Sequence, residues 1–66
     1  MSKRESVTYT AVCQRVGDWL EVTVLELDEV TQARTLADVP ATVVDLVALM
    51  AEVDPVKVKV RIEHVS

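Results

Sequence analysis

Of the apolar segments in this chain, one alone repeats with the period of a helix. Across residues 35–53, TLADVPATVVDLVALMAEV, a turn of about 100° per residue gathers Leu36, Val39, Val43, Leu46, Val47, Met50 and Val53 on one side. Asp38, Asp45 and Glu52 fall on the other side, with Leu49 the one large apolar residue among them and Ala37, Ala41 and Ala48 along a border. The remaining apolar segments alternate with period two, as half-buried strands do. A single amphipathic helix among strands is the only lid available for a sheet, so the fold class expected is α+β. Thr35 and Asp38 have the spacing of a capping box. Pro40, about a turn further on, predicts a slight bend or a 3₁₀ first turn. Asp54-Pro55 is expected to end the helix, because the residue before proline is pushed out of the α region.

Strand one is expected over residues 6–15, with Val7, Tyr9, Ala11 and Cys13 on one face and Thr8, Thr10, Val12 and Gln14 on the other. Gly17-Asp18 reads as a two-residue turn of type II′, which wants glycine at its first central position. Pairing Val16 with Trp19 then sets Cys13 against Val22, Ala11 against Val24, Gln14 against Glu21 and Thr10 against Leu25. One face becomes nearly all apolar and the other mixed. A three-residue loop would set Cys13 against Glu21 and Ala11 against Thr23, scrambling both faces. Strand two is expected over residues 19–27, a wide loop at Asp28-Glu29, and strand three over residues 30–34. Strand four, residues 56–65, points Val56, Val58, Val60 and Ile62 one way and Lys57, Lys59, Arg61 and Glu63 the other.

The element order is therefore β-β-β-α-β. A right-handed crossover through the helix lays strand four beside strand one in parallel, for a four-stranded mixed sheet of order 3-2-1-4 with the helix on one face. The expected core is Val7, Tyr9, Ala11, Cys13, Leu20, Val22, Val24, the helix stripe, Val58, Val60 and Ile62. Sixty-six residues make one domain, 1–66, with the polar residues 1–5 frayed. Such a chain buries only about 60 % of the surface it exposes when unfolded. Its single cysteine excludes an internal disulfide, and one His with one Cys cannot form a structural zinc site. Association with a partner or a second copy is the remaining source of added stability.

Eleven acids against seven bases leave a net charge of −4, unsuited to phosphate backbones and better matched to a basic partner. The N-terminal stretch has no apolar core of a signal peptide, and no run approaches the ~20 apolar residues of a membrane span, so a cytoplasmic protein is expected. The architecture resembles a truncated ribonuclease H half-fold, but the middles of strands one and four offer Thr10, Ala11, Val60 and Arg61, and the helix acids face water. No carboxylate cluster, phosphate-binding glycine loop, metal-ligand spacing or Ser/His/Asp set can be assembled. No catalytic residue, metal or cofactor is expected. His64 reads as a structural or solvated histidine and Cys13 as a small buried hydrophobe. Lys57, Lys59 and Arg61 read as charges protecting an edge strand, or alternatively as a contact strip for RNA. The register leaves Val12, Val16, Trp19, Leu25 and Leu27 on the face that the helix does not cover, and these are the candidate partner-binding residues.

The run from Gly17 to Leu27, GDWLEVTVLEL, followed by TQARTL from Thr31 to Leu36 opening a helix, resembles the N-terminal domain of the HicB antitoxins. Residues 9–52 carry the resemblance. Asp28 or Glu29 stands where that family has a loop glycine, and Ala33 where it has the glycine of Thr-Gln-Gly. The resemblance implies a degenerate ribonuclease H-like β-β-β-α-β unit without catalysis. It also implies a function: neutralising a small basic HicA-like mRNA-cleaving toxin by protein–protein contact. Many members carry a DNA-binding module after this unit, and no DNA-binding role is expected of the sequence in hand. Two alternatives stay open: a stand-alone homodimer or larger homo-oligomer that buries its open face on itself, and a weak RNA binder acting through strand four.

Overall fold

The computed structural model describes residues 6–65. The expected fraying of residues 1–5 lies outside them. Four strands, β1 (Val7–Val16), β2 (Trp19–Val24), β3 (Glu29–Ala33) and β4 (Val58–Val65), form one sheet of order β3-β2-β1-β4. Helix α1 (Val39–Ala51) carries the chain from one sheet edge to the other and packs against both β3 and β4. The sequence-derived α+β class, element order and strand order all hold.

The hairpin turn sets everything downstream. Gly17 has φ +62 and Asp18 is not in the left-handed region, the signature of type II′ rather than I′. The β1–β2 register is then Val16 with Trp19, Cys13 with Val22 and Ala11 with Val24, as parity requires. β4 runs parallel to β1, with Tyr9 beside Val60 and Ala11 beside Ile62. Ala11, Cys13, Leu20, Val22, Val24, Val39, Val43 and Val47 are fully buried between sheet and helix, with Tyr9 and Ala33 nearly so.

Several boundaries differ from expectation, each for a physical reason. β1 is shifted one residue, to Val7–Val16, because Val16 closes the hairpin. β2 ends at Val24 instead of Leu27: residues 25–28 turn back, with Leu27 N–H donating to Val24 O (3.2 Å) and Asp28 N–H to Leu25 O (3.2 Å). Asp28 completes the turn at φ +54, and β3 consequently begins at Glu29. The Thr35–Asp38 capping box does not form. Leu36–Asp38 is a 3₁₀ turn, and neither Thr35 nor Asp38 makes a side-chain cap. In a continuous α-helix Pro40 would leave the Leu36 carbonyl without a donor and crowd it with its ring. The chain instead bonds that carbonyl to Val39 N–H and starts α1 at Val39, with the proline in its first turn. The helix also stops before Asp54-Pro55, at a left-handed Glu52 (φ 57, ψ 35). Asp54 Oδ1 then accepts Val56 N–H (3.1 Å), curling Pro55–Lys57 into a second 3₁₀ turn. β4 starts only at Val58, and Val56 is thrown into solvent at 90 % exposure.

The core is narrower than the alternating pattern suggests. Val7, Leu36, Met50 and Ile62 are exposed, and Val58 and Val60 only half-buried. A 13-residue helix is about 20 Å long, whereas the ten residues of β1 extend about 33 Å. Val7 lies at an uncovered strand end, and Ile62 on an edge strand with one flank open. Ala33, opposite fully buried Leu20, joins the core because β3 places it inward.

Candidate functional site

The sheet face turned away from α1 is assembled by the pairing just described. Across its middle run Val30 on β3, Thr23 on β2, Val12 on β1 and Glu63 on β4. One step toward the first hairpin run Gln32, Glu21, Gln14 and Val65. Val16 and Trp19 close the row at the hairpin itself, 42 % and 44 % exposed. Trp19 also borders a shallow hollow lined by Asp18, Gln32, Ala33 and Arg34.

Of the five partner-binding candidates, Val12, Val16 and Trp19 lie on this face, Val12 half-buried between its neighbours. Leu25 leaves the strand but stays exposed in the β2–β3 turn. Leu27 is a correction. The turn reverses the chain before it, and its side chain packs partly buried against the core. Val30 and Val65, both exposed, extend the surface and were missed. Their signal was phase: Val65 continues the outward series Lys59, Arg61, Glu63, and Val30 follows once β3 begins at Glu29.

Glu26 organises this side of the molecule. One oxygen of its carboxylate accepts the Thr10 backbone N–H (2.6 Å) and the other the Thr10 hydroxyl (2.9 Å), while Leu25 N–H donates to Thr10 O (3.0 Å). A side chain thus takes the place of the next rung of the β1–β2 ladder where the β2 backbone turns away. The Thr10 backbone N–H, aided by its hydroxyl, holds the Glu26 carboxyl below the ordinary carboxylate range despite some opposing desolvation.

The basic strip is shorter than expected. Lys57 sits in the 3₁₀ turn, leaving Lys59 and Arg61 on β4 with Glu63 beside them, and Arg61 Nε lies 3.6 Å from Glu63 Oε2 in an exposed pair. His64 is exposed near the end of β4. Cys13 is fully buried, its Sγ 3.9 Å from Ala11 O, and burial pushes its thiol up, so it stays un-ionised at neutral pH and is a poor nucleophile. Among the described residues no group of three or more His, Cys, Asp or Glu could hold a metal ion, and no helix is long and apolar enough to cross a membrane. Compared with known proteins, the chain matches no family model, no curated protein and no solved structure.

Proposed function

We propose that this chain is a non-catalytic, cytoplasmic binding module of the antitoxin kind, which covers a small basic HicA-like mRNA-cleaving toxin with the open face of its sheet. The observation that carries the reading is that face itself: Trp19, Val16, Val12 and Val30 on a chain of net charge −4, with Leu25 exposed in the adjoining turn and, among the described residues, no element laid over them. Tryptophan is the residue type that most often dominates binding energy at interfaces. Asp18 and Glu21 flank Trp19, one in the turn and one on the same strand face, and supply the charge that would steer a cationic surface toward it. The resemblance to the HicB N-terminal domain supplies the partner class.

Co-expression with a small basic ribonuclease encoded next to this chain tests the proposal. A stable complex and rescue of growth are expected. Trp19→Ala should weaken the complex at least about thirty-fold, the effect of losing an interface anchor worth ~2 kcal/mol. Failure of the native chain either to bind or to rescue overturns the reading.

A further inference from the structure

The two edges of the sheet are built differently. β3 has five residues and turns a carboxylate, Glu29, toward the helix side, which discourages another strand from adding there. β4 has eight residues and no such inward charge. Its helix-side residues are Val58, Val60, Ile62 and His64, and Ile62, although it shares the phase of the core, is 39 % exposed. On its other face stand Lys59, Arg61, Glu63 and Val65. Read as edge protection, Lys59 and Arg61 should repel a second β4. Whether they do depends on register.

In a two-fold antiparallel pair centred on one residue, opposed side chains share a face and both helices lie on the same side of the joined sheet. Centred on Val60, the pairing opposes Lys59 to Arg61, like to like. Centred on Arg61, it opposes that residue to itself once, although it also sets Lys59 of each copy against Glu63 of the other. Centred on Glu63, it opposes that residue to itself with no opposite-charge pair in return. Centred on Ile62, it sets Arg61 of each copy against Glu63 of the other, with Ile62 against Ile62 on the helix side and Lys59 against uncharged Val65. The exposed Arg61–Glu63 pair of the single chain then becomes a square of four alternating charges. We propose that the chain forms a homodimer through β4, paired antiparallel in the Ile62-centred register, to make a continuous eight-stranded sheet. Of these registers it alone makes two opposite-charge pairs with no like pair against them, and the two-fold closes the assembly rather than leaving a growing edge. Both open faces lie on one side of the joined sheet, so the dimer presents two Trp19 surfaces in one plane. The pairing does not depend on the identity of any partner.

The oligomeric state of the isolated chain, by sedimentation equilibrium, decides it. The native chain is expected to be a dimer at micromolar concentration. Arg61→Glu and Glu63→Arg, each checked for native circular dichroism, should each weaken the dimer at least about tenfold by setting like charges against each other twice. The double variant R61E/E63R should recover it, because the square re-forms with its signs exchanged. Trp19→Ala should leave it unchanged. Ile62→Cys should cross-link to a covalent dimer under mild oxidation, whereas Val56→Cys, which lies off the strand, should not. A monomeric native chain overturns the proposal. So does a dimer indifferent to both charge reversals, or one lost in the single variants and not restored in the double.

Discussion

The face of the sheet beneath α1 and the face turned away from it are drawn from the same strands, residue by residue in alternation. Beneath the helix, Ala11, Cys13, Leu20, Val22 and Val24 have lost all contact with solvent. On the other side Val16, Trp19 and Val30 keep roughly half of theirs. Strand propensity does not separate the two, since valine is prominent in both. The lid does. Moving a large aliphatic side chain from water to a full core is worth about 1.5–3 kcal/mol, and only the covered face collects it. Stability is therefore drawn from one side of the sheet while the proposed interaction would use the other, and substitutions should separate them.

Leu20→Ala should have the largest effect. The side chain is fully buried and opposite Ala33, so its removal leaves a cavity that small neighbours cannot fill. The expected loss is about 2–5 kcal/mol, a large share of what a small domain possesses, and chemical denaturation should show a population partly unfolded without denaturant. A loss under ~1 kcal/mol would mean the helix does not seal that face. Trp19→Ala is the matched change on the other side. Its expected stability change is within about 1 kcal/mol, even where the proposed partner binding is lost. If it destabilised as much as Leu20→Ala, Trp19 would belong to the core and the division between the faces would fail.

How far this division could be read from the residues follows from which constraints are local. The Gly17-Asp18 turn lies between the strands it joins, so parity alone places Val12, Val16 and Trp19 on one face and Cys13 and Val22 on the other. The helix stripe is equally local, and strand order follows from hairpin adjacency and one crossover. What could not be read depends on distant or steric partners. Val24-Leu25-Glu26-Leu27 continues to look like strand, and the turn that ends it is held by bonds that Thr10, sixteen residues earlier, donates to the Glu26 carboxylate. Once the chain turns there, Leu25 and Leu27 no longer share a side, and Leu27 goes to the core. Val56 is in phase with the valines after it, yet the Asp54 carboxylate captures its amide and pulls it out of the strand. Ile62 has the phase of a core residue and the position of an edge residue; alternation records the first and says nothing of the second.

The Glu26–Thr10 contact offers the mildest and most selective way to sharpen the comparison, because it fixes the open side without touching the core. Its carboxyl is held below its ordinary value chiefly by the Thr10 backbone N–H. The sign follows: this contribution is fully present above the pKa of an unfolded glutamate and is lost as pH falls through the lower folded value. Glu26→Gln retains an acceptor for the Thr10 N–H and a donor for its hydroxyl, but it has no charge to lose. The native chain should therefore melt slightly higher than the variant at neutral pH, and the two curves of Tm against pH should converge in acid. The difference should be small, since the carboxylate is exposed and water competes for it. Glu26→Ala goes further, removing both bonds. Amide exchange at Thr10 and Leu25 should then accelerate while that at Val22, fully buried beneath the helix and two residues inside the end of β2, stays slow. Uniform acceleration across all three amides would show instead that the turn holds the whole sheet, and that the two faces are not independent after all.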